Sequence, residues 1–313
     1  MRIDFPITLN RSIETESPHA VPLNVAESYD GTNVVFRALR LATWGPTLLN
    51  LGYYTFGGSL SVLNVMSNME LAQQRLVRKS IDLLQVSPGD QVLDVACGRG
   101  KSSFMVQALH PQTTVIGIDL LDRNVQVART LFDQVGSLSY RVGNAMDLDF
   151  PDASFDRVMC LEAAFHFPDR QRFLRESARV LRPGGRLVIV DFAWNSDAER
   201  IHRDDPETRI VREIWQWSDF SSIPEYERMG RTAGFRLLSS RDWSQHVTRP
   251  IQTLFERLSA LGRTSWGRRI LAWINPLYRS FSTQDWEQVA LAVRGHEHVR
   301  RFSKYMAFIF EKR

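Results

Sequence analysis

The sequence predicts an α/β protein built on a mostly parallel sheet with helices on both faces, and three observations predict it. At 91–101 a short apolar run, Val92, Leu93 and Val95, enters the turn Cys97-Gly98-Arg99-Gly100, after which Phe104, Met105 and Ala108 follow helical spacing. A second apolar run, 114–119, ends in an acid, Asp119, about 20 residues beyond the glycine turn. Strand-like and helix-like segments then alternate as far as Asp191, which is how crossover helices cover a parallel sheet.

Each element has its own local reason. Gly98 and Gly100 lack a Cβ, so the turn lets a ligand approach the backbone at the carboxyl end of a strand. Residues 138–142 read as a third strand, and 150–156 as a turn into a fourth at 157–161. A helix from about Asp169 turns Phe173, Leu174, Ala178 and Leu181 inward and stops at Arg182-Pro183-Gly184-Gly185. A fifth strand, 187–190, closes with Asp191. Strand-like pieces return at 235–239 and 304–310, separated by stretches too long for ordinary connections, so about 195–234 and 243–300 read as structured lid insertions. Upstream, 1–24 reads as a flexible arm and 25–87 as an N-terminal helical cap. Within that cap, 49–58 is an aromatic, glycine-rich turn whose Tyr53 and Tyr54 are candidates to close over a ligand.

Composition bounds the function. A chain of 313 residues with 43% hydrophobic and 11% aromatic residues suits a globular enzyme with an apolar pocket. Only two cysteines, Cys97 and Cys160, argue against a disulfide scaffold and fit a reducing cytoplasm. The start has no signal-peptide pattern and no apolar run spans a bilayer, so the chain reads as cytoplasmic. Of the net charge of +4, six arginines against Glu256 place +5 between Trp243 and Phe281, leaving −1 for the remainder. Charge confined to one subregion does not suit a general nucleic-acid binder. The segment reads as basic amphipathic helices: a lid, a contact with an anionic membrane, or a diphosphate site. His296-Glu297-His298 has no evident third ligand and reads as an exposed loop, so no metal is expected.

The spacing Asp94-x-Ala96-x-Gly98-x-Gly100, with Asp119, 150–156 and 180–187, resembles class I S-adenosylmethionine-dependent methyltransferases of the small-molecule type. It does not match the Gly-x-Gly-x-x-Gly of dinucleotide-binding dehydrogenases. The resemblance implies a Rossmann-like sheet of seven strands with the last antiparallel, inserted between the fifth and sixth. It implies S-adenosylmethionine as cofactor, with methionine along Gly98 and Gly100, ribose on Asp119, and adenine by Leu120, Asn144 and Ala145. Leu161 would offer its carbonyl to the cofactor's amino group, and Tyr53 would close over it.

Within the family, 50–54 and 161–169 are similar to macrolide-sugar and phthiotriol-type O-methyltransferases, with His166 as base and Asp191 as its support. His166 also reads as a packed wall residue, and Asp191 as a helix cap. Glu162 resembles a glutamate of sterol and geranyl diphosphate C-methyltransferases, where it would deprotonate a carbocation. A cyclase that keeps the cofactor as a structural element is a further rival. The expected acceptor is a small apolar metabolite or lipid; oligomeric state is not legible.

Overall fold

The computed structural model describes residues 34–35, 37–38, 48–55, 69–132 and 135–313. The 1–24 arm, and most of 25–68, lie outside the described residues. In chain order the elements are α1 (Met69–Leu84), β1 (Gln91–Val95), α2 (Lys101–Leu109), β2 (Thr114–Asp119), α3 (Asp122–Phe132), β3 (Leu138–Val142), β4 (Phe155–Leu161), α4 (Arg170–Val180) and β5 (Leu181–Trp194). There follow α5 (Pro206–Trp215), α6 (Ile223–Thr232), β6 (Phe235–Asp242), α7 (Thr248–Gly262), α8 (Ser265–Ile274), α9 (Thr283–Phe302) and β7 (Ser303–Lys312), with short 3₁₀ helices at Ala164–His166, Ala198–Asp204 and Pro276–Ser280.

The sheet runs β3-β2-β1-β4-β5-β7-β6. Strands β1 to β5 are parallel, and β7 is antiparallel to both β5 and β6. Because strand side chains alternate, each apolar strand feeds two layers. Leu93, Val95, Val158, Leu187, Ile189 and Phe308 meet Phe173 and Leu174 of α4 and Tyr226 of α6. Val92, Met159, Val188, Val190 and Ala307 meet Leu76 and Ile81 of α1, Val106 of α2 and Ala128 of α3. A separate core joins Val34, Val35, Ala38 and Tyr54 to α7, α8 and α9 through Phe255, Leu271 and Trp286. The two insertions are thus mainly helical. Cys97 and Cys160 are buried and unpaired.

The order of strands positions the site. Val95 registers with Ile118 on one side and Cys160 on the other, so the chain beyond β1, β2 and β4 emerges at one crevice. The connections after β1 and β4 turn to opposite faces there, which is where open α/β sheets bind ligands.

Three expectations need correction. The fifth strand begins at Leu181 and continues to Trp194, because β7 pairs with it from Arg186 to Trp194. Asp191 is therefore inside a strand rather than at its end. Residues 296–298 lie within α9, not in a loop.

Candidate active site

A cavity of about 560 Å³ opens at the carboxyl ends of β1, β2 and β4. Its first half is built by main chain. Ala96 (φ 59°), Gly98 (φ 56°) and Gly100 (φ 84°) place three alternate residues in the left-handed region, which coils the loop so that Cys97 N–H donates to Ile118 O at 2.8 Å. Gly98 N–H donates to Asp119 Oδ2 at 2.9 Å, while Leu121 N–H and Asn124 Nδ2 donate to Oδ1 at 3.0 and 3.1 Å. The loop and the acid thus hold each other. Burial raises the Asp119 pKa, and these donors oppose the rise.

The two glycines do different things. A Cβ on Gly98 would meet only Leu49 Cδ1, at 3.7 Å, so the backbone there is open to the cavity. On Gly100 it would strike Ala128 Cβ at 2.6 Å and the Tyr140 ring at 2.7 Å. Gly100 does not line the cavity. Its bareness lets β3 and α3 pack beneath the loop, where Tyr140 O–H donates to Gly100 O at 2.6 Å. The expectation that Gly100 faces a ligand is corrected.

Asp94, Ala96, Leu120, Asn144, Ala145 and Leu161 all line the cavity. Asp94 sits deepest: Ser102 and Ser103 hydroxyls donate to its Oδ2 at 2.6 and 2.7 Å, and burial pushes its pKa up to about 6. That carboxylate ties β1 to the start of α2. Asn144 Oδ1 accepts from Met146 N–H at 3.0 Å. Leu120 keeps 40% of its surface exposed, a flat apolar face beside Asp119.

Tyr53 and Tyr54 are not in the cavity wall. Tyr53 stacks on His246 at 4.5 Å and meets Trp243 edge-on at 5.6 Å, while Tyr54 is packed into the helical core. Their backbone pairing, Tyr54 N–H to His246 O at 2.8 Å, anchors the segment whose preceding residues, Leu48 to Leu51, do line the cavity. Gly52, with φ 84°, turns the chain between the cavity-lining residues 48–51 and the packed tyrosines.

The second half of the cavity is built by side chains. Glu162 follows β4 with φ 51°, a conformation costly for a non-glycine residue and concentrated at functional sites. Its Oε1 accepts from the Tyr305 hydroxyl, and Leu51 N–H lies 3.1 Å from each oxygen. Enclosure raises its pKa to about 7, against those two donors. His166, on the turn Ala164–His166, has Nδ1 3.2 Å from Gln216 O. A carbonyl only accepts, so Nδ1 carries hydrogen and Nε2 is the basic nitrogen. Enclosure lowers its pKa to about 4 and holds the ring neutral. Both groups line the cavity and are partly exposed.

Asp191 is elsewhere. With Leu187 and Ile189 it faces the α4–α6 layer, whereas Phe192 faces the cavity. Its Oδ2 accepts from the Tyr226 hydroxyl and lies 3.9 Å from Arg170 Nε. Strand parity, not distance along the chain, removes it from the cavity wall.

Sequence reasoning missed the far wall: Trp215, Trp217, Phe255 and His296. Trp215 Nε1–H donates to His296 Nε2 at 2.7 Å, and His296 Nδ1–H donates to Ala292 O at 2.7 Å. His298 instead meets Asp205 Oδ2 at 2.7 Å, beside His202 at 2.8 Å. One atom each of His202, Asp205 and His298 lie within 4.8 Å of one another, close enough to hold a metal ion, so His298, expected to lack a further ligand, has two candidate ones beside it. None of the six arginines of 243–281 lines the cavity; the cations that do are Arg99, Arg300 and Lys304.

A bare main-chain ledge at Gly98, the adjoining Asp119 carboxylate and the exposed apolar side chain of Leu120 line one end of the cavity. Residues 93–189 match the methyltransferase domain family. O-methyltransferase resE of Aspergillus sclerotiorum is 36% identical over 193 residues, 60% of this chain and 70% of the relative. The chain is a class I S-adenosylmethionine-dependent methyltransferase. The 27-O-demethylrifamycin SV methyltransferase of Amycolatopsis mediterranei is 31% identical over 242 residues, covering 74% of this chain and 80% of that one. In architecture the methyltransferase matches geranyl diphosphate methyltransferase solved with geranyl diphosphate and sinefungin, with TM-score 0.67 and 18% identity over 93% of this chain and 98% of that one. At that identity the likeness is one of fold.

Proposed function

We propose that this methyltransferase transfers the methyl group to a hydroxyl oxygen of a small, largely apolar secondary metabolite or lipid. The observation that carries the reading is His166, neutral, on the wall of an aromatic cavity that the cofactor half opens into. The names of the relatives, O-methyltransferases among them, support the same chemistry.

Bound S-adenosylmethionine supplies an electrophilic methyl group. The chain's own tasks are alignment and proton removal. Gly98 and Asp119 hold the adenosyl portion, and the aromatic walls, Phe165 and Trp217 among them, exclude water and orient an apolar acceptor. His166 Nε2 takes the hydroxyl proton while Gln216 O fixes the ring through Nδ1. Glu162, engaged by Leu51 and Tyr305, holds the N-terminal segment against the cavity. The second reading, C-methylation of an alkene, is favoured by Glu162's strained backbone and raised pKa, which suit a group that accepts a proton from a carbocation.

His166→Ala and Glu162→Gln, compared at saturating cofactor on a panel of apolar alcohols, phenols and isoprenoids, separate the readings. The expected result is a loss of turnover of about 10²–10⁴-fold for His166→Ala, a smaller loss for Glu162→Gln, and a new methoxy signal by NMR. The opposite ranking with a C-methyl product overturns O-methylation. Cofactor binding with no methylated product across the panel would point instead to a cyclase or binding role.

A further inference from the structure

Among the described residues, four exposed large apolar side chains gather on one face. Trp273 is 85% exposed, Leu277 63%, Trp266 60% and Ile270 37%. At 266, 270 and 273 they form one stripe of α8, continued by Leu277 in the following turn. The helix is not loosely attached. On its opposite side Leu271 is buried, and Gly267 packs so tightly that a Cβ there would lie 2.1 Å from Leu261 O. The Thr264 hydroxyl caps it by accepting from Gly267 N–H at 3.1 Å, and the Asn275 side chain accepts from Leu277 N–H at 3.1 Å. The stripe is thus held outward by a rigid helix rather than left over from an incomplete core.

The segment that carries it holds one sign of charge. From 257 to 284 the sequence holds five arginines and neither Asp nor Glu. Arg263, Arg269 and Arg279 are exposed, and among the described residues no carboxylate pairs with them. Two tryptophans and two aliphatic residues rimmed by cations form the pattern of a helix lying in a headgroup layer: the indoles enter the acyl boundary and the guanidiniums meet lipid phosphates. A second copy of the chain does not fit as well. Across a two-fold axis the same patch faces itself, setting arginines against arginines.

We propose that α8 and the turn after it bind the surface of an anionic lipid bilayer. No helix among the described residues is long and apolar enough to cross one, so the contact is peripheral. Its position gives it a use. Helix α7 packs beside α8 in one core and supplies Ile251, Gln252 and Phe255 to the cavity, so the bilayer face is one helix layer from the acceptor half. An apolar acceptor dissolved in lipid is thereby collected near the site. The binding itself does not depend on which atom receives the methyl group.

The test is co-sedimentation of the full chain with vesicles of phosphatidylcholine alone or with one quarter phosphatidylglycerol. The expected result is about tenfold or stronger partitioning to the anionic vesicles, weakened by added salt. Trp266→Ala with Trp273→Ala, and separately Arg263→Glu with Arg269→Glu, should each remove about tenfold or more of it. Cofactor titration verifies that both pairs remain folded. Absence of binding to anionic vesicles, or binding undiminished in both double variants, overturns the proposal. So does a concentration-dependent dimer in ultracentrifugation that the tryptophan variants abolish while vesicle binding persists.

Discussion

The two halves of the cavity are made in different ways. The half proposed to hold the cofactor is assembled from short pieces, 94–99, 119–121, 144–146 and 161, each at a strand end, so backbone geometry and sheet register place them. The acceptor half takes Phe165 from a turn, Trp215 from α5, Phe255 from α7 and His296 from α9, brought together only by packing of the insertions. Backbone-built sites tolerate little change of residue type. Side-chain-built walls can be refilled by other side chains of similar bulk, which lets one scaffold accept different acceptors.

The sharpest way to break this division is at Asp191. If it belongs to neither half, Asp191→Asn is a stability variant. It leaves Arg170 buried without its charge partner and should lower stability by about 3–5 kcal/mol in thermal or chemical unfolding. Folded enzyme recovered at low temperature should keep a turnover number near the parent's. A large fall in turnover with stability intact would return Asp191 to the catalytic side.

The glycines sharpen the contrast within the cofactor half. Gly100→Ala should destabilise the fold by about 3 kcal/mol, because its Cβ collides with Ala128 and Tyr140 and its backbone is left-handed. Gly98→Ala meets no such collision and should cost only about 1 kcal/mol in unfolding, while weakening cofactor binding more than stability. Equal unfolding losses for the two would contradict the separate roles given to them.

Much of this division was legible in the residues. Glycine turns, terminal acids and continuous apolar runs are local signals, and the parallel core with its crevice follows from them. That Gly98, Asp119, Asn144 and Leu161 share one cavity wall is legible for the same reason, since strand ends are local too. Asp191 was misplaced because its side depends on parity within a strand whose ends could not be read: β7 extends the pairing to Trp194. Tyr53 was drawn into the site by its aromatic character, yet His246, 193 residues away, stacks on it. The Trp215–His296 pair spans 81 residues between two insertions, and only the His-Glu-His spacing drew attention to it, for the wrong reason.

In the proposed function, a carboxylate at the end of β2 holds the adenosyl portion against bare main chain. Calorimetric titration of S-adenosylmethionine into the parent protein and Asp119→Ala measures this directly. Saturable binding by the parent, weakened by about 1–3 kcal/mol in the variant, is the predicted result. An unchanged dissociation constant, with the variant folded, would contradict it.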